Sequence, residues 1–196
     1  MFSIGDKVVY PMHGAGTIES IEEQEMFGDT AEYYIIKMPV GDMKVMVPTE
    51  SAEEIGVREV SDSSIAPSVF AVLEKPKEEY VYENNWNRRY KSNVEKIKTG
   101  DILEVADVVR ELSHRHMERG LSTAEKKMLN SAKEILISEL MLAQGLEHSA
   151  VDSEIEEKIK SVIISDGVTH IGDNAFGRCK NLENIKIYLY NNTFLQ

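Results

Sequence analysis

The sequence predicts an α+β chain: a small N-terminal β domain, an all-α helical domain, and a separate C-terminal unit. Three observations carry this expectation. Short apolar, β-branched runs separated by glycine and proline turns fill residues 1–48. Apolar residues then recur at helical spacing, with capping signals and glycine stops, as far as Gly145. Charge divides in the same region: residues 1–62 hold four Lys or Arg against thirteen Asp or Glu, and the remainder eighteen against twenty-one. The resulting domain boundaries are 1–62, 63–147 and 148–196.

In the first domain, Lys7–Pro11 reads as a strand stopped by a proline that cannot continue a central strand. His13-Gly14-Ala15-Gly16 is a turn signal. Thr17–Glu22 is a bent strand with Ile18 and Ile21 inward, followed by a hairpin-like tip at Phe27-Gly28-Asp29-Thr30. Glu32–Met38 is the next strand, and Gly41-Asp42 turns the chain into Met43–Val47, stopped by Pro48. Four or five short strands at this spacing make a small twisted sheet or barrel. A unit of about 60 residues is marginal alone, so it should pack on the helical region after it or on a partner.

Helical signals begin at Ser51 and Glu54, which have capping-box spacing and are cut short by Gly56. Between Ser61 and Glu74, Ile65, Val69, Val72 and Leu73 share a face, entered through Pro67. Lys75–Glu79 is a polar, proline-broken linker. A basic helix around Trp86–Lys98 ends at Gly100. Asp101 and Glu104 open the next, with Ile102, Ala106, Val109, Leu112 and His116 at helical spacing. Ser122 and Glu125 cap a long last helix with Leu129, Ala132, Leu136 and Leu140 inward. Helices joined by short glycine turns make a compact bundle.

The basic helix stands out against the rest. From Trp86, the sole tryptophan, to Lys98 there are five cations and one acid, in a chain of net charge −12. Phosphates attract such cations, and an aromatic can wedge into a groove or against an opened base pair. The acidic N-terminal domain would repel DNA, so two regions with two kinds of partner are expected.

Enzymatic chemistry finds no constellation. His114 and His116 point to different faces of one helix, and His13 lacks a nearby carboxylate or thiol partner. Glu22, Glu23 and Glu25 read as a solvated edge. Gly14-Ala15-Gly16 has no following Lys-Ser/Thr and opens a strand, so it is no phosphate cradle. The expectation is a non-enzyme with no cofactor and no metal. A single cysteine, no apolar run long enough to span a membrane, and no signal-peptide pattern lead to a cytoplasmic expectation.

Several motifs resemble the CarD/CdnL family of bacterial transcription regulators. They are Val8-Val9-Tyr10-Pro11, His13-Gly14-Ala15-Gly16, Gly41–Pro48, Ile55-Gly56-Val57-Arg58 and Asn85–Lys91. Gly100-Asp101, Val105–Leu112 and Glu118–Leu129 continue the likeness, which covers residues 1 to about 145. The resemblance implies a Tudor-like domain that binds the RNA polymerase β subunit, as does the same module in the transcription-repair coupling factor. It implies a helical domain that touches promoter DNA, without sequence specificity, at the upstream edge of the transcription bubble. Trp86 would be the minor-groove wedge that stabilises the open complex, with Arg88, Arg89 and Lys91 on adjacent phosphates. Some relatives place Arg where this chain has Gln24 and Met46, so its polymerase contact would rest on Gln24, Lys44, Met46, Pro48 and strand edges.

Residues 162–187, with Cys179 as buried filler, resemble one unit of the BspA-type leucine-rich repeat. One repeat cannot bury its own face, so docking or self-association through the tail is expected. The alternative to the polymerase-and-DNA reading is a protein-interaction adaptor without DNA contact.

Overall fold

In a computed structural model the chain is a mixed α+β protein, an antiparallel five-stranded sheet followed by helices. The structure describes residues 1–26, 29–40, 43–75, 85–159, 161–164 and 184–187. The strands are β1 (Lys7–Tyr10), β2 (Gly14–Met26), β3 (Asp29–Lys37), β4 (Lys44–Pro48) and β5 (Arg58–Glu59), in the order β4-β3-β2-β1-β5. Val8, Ile18, Tyr34, Ile36, Met38, Val47, Ala52 and Val57 form the sheet core, with Phe2, Tyr10, Ile21 and Val45 against it. The three-residue step from Ile18 to Ile21 reflects a bulge: the β2–β3 register shifts between Ile18 and Ser20. The extra residue, Glu19, lets both isoleucines face the same core.

Helix α1 (Ala52–Ile55) ends at Gly56 with φ 90°. Its expected capping box does not form, because the Ser51 side chain makes no cap hydrogen bond. Asp62 caps a 3-10 turn, Ser63–Ile65, that leads into α2 (Ala66–Leu73). Then come α3 (Trp86–Lys98), α4 (Ile102–Arg119), α5 (Thr123–Gln144) and α6 (His148–Ile159). Val69, Leu73, Val105, Val109, Leu112, Leu136 and Leu140 are among the fully enclosed residues of their common core. His116, at helical spacing with Ile102, Ala106, Val109 and Leu112, is exposed. Helix α6, grouped with the tail by sequence, joins this core through Val151, Ile155 and Ile159. No helix of the described residues is long and apolar enough to cross a membrane.

Sheet and helices are joined along α5. Val9 and Ala15 face each other in the β1–β2 register and are buried on the side away from Val8. There the Ala15 amide donates to Ser138 Oγ at 2.8 Å, and Lys7 Nζ donates to the Leu142 carbonyl at 2.8 Å. A Cβ on Gly14, whose φ is +97°, would lie 2.6 Å from Ser138 Oγ. Gly14 is therefore a docking requirement as well as a turn.

Strands β6 (Ser161–Ile164) and β7 (Asn184–Ile187) pair in parallel, Ser161 opposite Asn184. The rest of the stretch expected to resemble a repeat, including Cys179, lies outside the described residues, as do the tip at 27–28, the turn at 41–42 and most of the linker.

Candidate functional site

Helix α3 starts where Asn85 accepts hydrogen bonds from the amides of Asn87 and Arg88, at 3.0 and 3.4 Å. That cap places Trp86 at the first helical position, 41% exposed, its ring stacked on Tyr90 with centroids 5.1 Å apart. The indole Nε1 donates to Ser122 Oγ at 3.3 Å. Ser122 is itself the N-cap of α5 in a capping box with Glu125: its amide and hydroxyl donate to Glu125 Oε2, and its Oγ accepts from the Glu125 amide. The same carboxylate turns Oε1 to Arg89, whose Nη2 and Nε lie 2.7 and 3.1 Å away. Arg115 Nε approaches that oxygen at 3.6 Å. One carboxylate therefore joins the start of α5, the start of α3 and the end of α4.

This arrangement corrects the reading of Arg89. It is only 6% exposed and ion-paired with a buried glutamate, so it holds α3 rather than meeting phosphate. Arg88 and Lys91 lie on the outer side of α3, both exposed. Helical spacing is the physical reason: Arg89, Asn93 and Ile97 are the buried residues of α3, each four apart. Two further cations, Lys126 and Lys127, were not among the residues expected to meet DNA. They are exposed in the first turns of α5, just beyond the serine that holds the indole, and the capping box was the signal that could have placed them there.

A second charged contact docks the other end of α3. Lys96 Nζ lies 2.5 Å from Asp107 Oδ2, and Arg110 Nη2 lies 2.6 Å from Oδ1. Burial raises the Asp107 pKa, but hydrogen bonds from Lys96 and Arg110 outweigh it and hold the carboxyl below its ordinary range. Burial likewise works against charge at Glu125, where Arg89 and Ser122 win and depress the pKa. Burial pulls Lys96 down, but Asp107 and nearby acids lift it above the usual lysine value. Glu111 goes the other way: burial raises it. Asn93 is 1% exposed, and its Nδ2 has no hydrogen-bond partner among the described residues.

The residues expected to meet polymerase come together on the sheet. The register puts Lys44 opposite Lys37, Met46 opposite Ile35 and Pro48 opposite Tyr33, with Glu22 on the other side of Tyr33. Strand alternation puts Gln24 with Glu22 on that face. Gln24, Lys44, Met46 and Pro48 thus share the face that α5 covers only near β1 and β2. Met46 is 39% exposed, and β4 is an edge of the sheet. Two of the four are engaged within the chain: Lys44 pairs with Glu19, the bulge residue, and Gln24 Nε2 donates to Glu22 at 3.3 Å.

Known proteins place both halves. Residues 2–61 match the CarD-like/TRCF RID domain, and residues 68–156 match the CarD C-terminal domain. Over 153 residues the chain is 42% identical to a Bacillus subtilis (strain 168) protein named "Putative transcription factor YdeB", covering 78% of this chain and 99% of that relative. Neither domain match reaches the β6–β7 pair. With the two domains present in order and a relative matched over almost its full length, the chain belongs to the CarD-like family.

Proposed function

We propose that this protein is a non-enzymatic transcription regulator that anchors its Tudor-like sheet domain on the RNA polymerase β subunit and stabilises the promoter open complex. The observation that carries the reading is Trp86, half-exposed at the head of a basic helix in a chain of net charge −12. Family membership supports a partner in the transcription machinery. On the sheet, β4 is the edge among the described strands, where a strand of the β subunit can add, and Met46 and Pro48 add apolar contact.

On the DNA side Trp86 acts as a wedge at the upstream bubble edge, and Arg88, Lys91, Lys126 and Lys127 meet the backbone. Four neutralised phosphates give a salt slope of roughly −3.6, so affinity falls on the order of 100-fold between 50 and 200 mM salt. DNA binding by the free protein is then weak. Anchoring to polymerase raises the local DNA concentration to about millimolar, which makes a weak contact effective. The wedge shifts the closed-to-open equilibrium only by the extra contact it makes with opened DNA. Such a contact senses an opened edge and reads no sequence.

Two titrations of the full chain test the reading. Purified β subunit should bind the parent chain and lose affinity for Met46→Glu. Fork-junction DNA should change the fluorescence of Trp86 in a salt-sensitive way. Binding to β with no fluorescence response at low salt would favour a protein-interaction adaptor; no binding to β would remove the polymerase anchor.

A further inference from the structure

Arg58 and Gly100 are motif residues that neither partner surface uses, and they meet at the junction of sheet and helices. Arg58 leaves the short edge strand β5 and spans two helical elements. Its Nη1 and Nη2 donate to Glu139 Oε1 and Oε2 of α5, both at 2.8 Å. Its Nε and Nη2 donate to the Gly100 carbonyl at 3.0 and 2.6 Å. Glu139 is 2% exposed, and Ser61 adds its amide and hydroxyl to Oε1 at 3.2 and 2.7 Å. Both carboxylate oxygens are thus held by residues of the sheet domain and the segment directly after it.

Gly100 lies between α3 and α4 and is gripped from a second side. Its φ is +70°, and a Cβ there would stand 3.1 Å from Pro11 Cγ of the sheet domain. The foot of α3 is therefore seated between Pro11 and the Arg58 guanidinium. Trp86 is at the opposite end of the same helix. Thirteen residues at 1.5 Å each put about 20 Å between foot and head, so a small tilt at Gly100 becomes a larger displacement at the indole.

We propose that Arg58 is the positioning residue of the protein: with Glu139 and Gly100 it sets the place of Trp86 relative to the polymerase-binding face. The inference rests on the DNA-contacting role proposed for Trp86 and adds how the two partner surfaces are coupled. A planar guanidinium suits the task because it holds a carboxylate through two parallel bonds and still reaches a carbonyl. Lysine keeps the charge and loses that geometry.

Full-length Arg58→Lys and Glu139→Gln test it in a promoter-complex dissociation assay at saturating protein, below the melting temperature of each variant. Polymerase affinity and the Trp86 fluorescence response to fork DNA should match the parent, because neither surface is altered. Complex lifetime should fall by about fivefold, the low end of coupling between distinct sites, and should not recover at higher protein concentration. A merely structural role would lower the melting temperature and leave the saturated lifetime intact. Should Arg58→Lys fail to fold, Ser61→Ala, which removes one hydrogen bond from Glu139, should give a smaller shortening. Trp86→Ala in the same assay separates the two claims. If it shortens the lifetime and the clamp variants do not, the positioning role is overturned alone. If it has no effect, both fall.

Discussion

Helices α3 and α5 belong to one bundle but are held by opposite means. Helix α5 buries Met128, Leu129, Ala132, Ile135, Leu136, Ile137 and Leu140. Its buried polar residues all serve a contact outside the helix: Glu125 binds Arg89 of α3, Ser138 binds Ala15, and Glu139 binds Arg58. Helix α3 buries Arg89, Asn93 and Ile97, two polar residues of three. Ion pairs at Arg89–Glu125 and Lys96–Asp107 hold its two ends. The difference teaches a division of labour. Helix α5 is a beam fixed by apolar burial, meeting α3 at its start and the sheet farther along. Helix α3 is tied by charged contacts to that beam at Glu125 and to α4 at Asp107, leaving Trp86, Arg88 and Lys91 turned outward.

The largest effect should come from cutting α3 from the beam. Glu125→Ala leaves Arg89 buried without its partner and removes half of the capping box. It should cost about 3–5 kcal/mol in denaturant unfolding, because one member of a buried ion pair is left uncompensated. Hydrogen exchange should then speed up in α3 before it does in α5. Leu136→Ala, at about 2–5 kcal/mol, should destabilise by a similar amount without that selectivity. Equal exchange rates in both helices of Glu125→Ala would erase the contrast between them.

Acid should separate the helices next. Glu125 and Asp107 have native pKa values below their ordinary 4.5 and 3.8. Their contributions are therefore complete above about pH 4.5 and are lost as pH falls through the depressed native values. Glu111, raised by burial, works in the opposite sense: its charge opposes folding above its native pKa and its protonation relieves that cost. Lys96, also raised, contributes below 10.5 and stays charged throughout an acid titration. The fluorescence of Trp86 should change at a higher pH than the far-ultraviolet helix signal. Coincident transitions would mean that α3 is no easier to release than the rest.

The smallest effect should be a gain. Asn93→Leu replaces a buried amide whose Nδ2 has no partner among the described residues, and should stabilise the fold by about 1 kcal/mol, within the cost of an unsatisfied buried polar group. A loss in stability would show that the amide is satisfied.

Much of this was legible in the sequence, and the gaps have physical causes. Strand alternation, the glycine stop at Gly145 and the capping box at Ser122 and Glu125 are local signals, and each appears where its spacing puts it. Side chains that act across long separations were not legible. Arg88 and Arg89 look alike in a basic run, and only the four-residue step to Asn93 and Ile97 turns one of them inward. Glu125 reads as half of a cap, yet it also receives Arg89 from 36 residues away. Ser138 and Glu139 look like polar exceptions in an apolar stripe, because their partners lie on the sheet. Gly14 and Gly100 read as turns, whereas a side chain at Gly14 would clash with Ser138 and one at Gly100 would crowd Pro11.

The central claim is that Trp86 contacts opened DNA while the sheet domain holds polymerase. The lifetime of polymerase–promoter open complexes, measured at saturating parent or Trp86→Ala protein, tests it most directly. The account predicts a shorter lifetime with the variant and the same affinity for polymerase. An unchanged lifetime at saturation would contradict it.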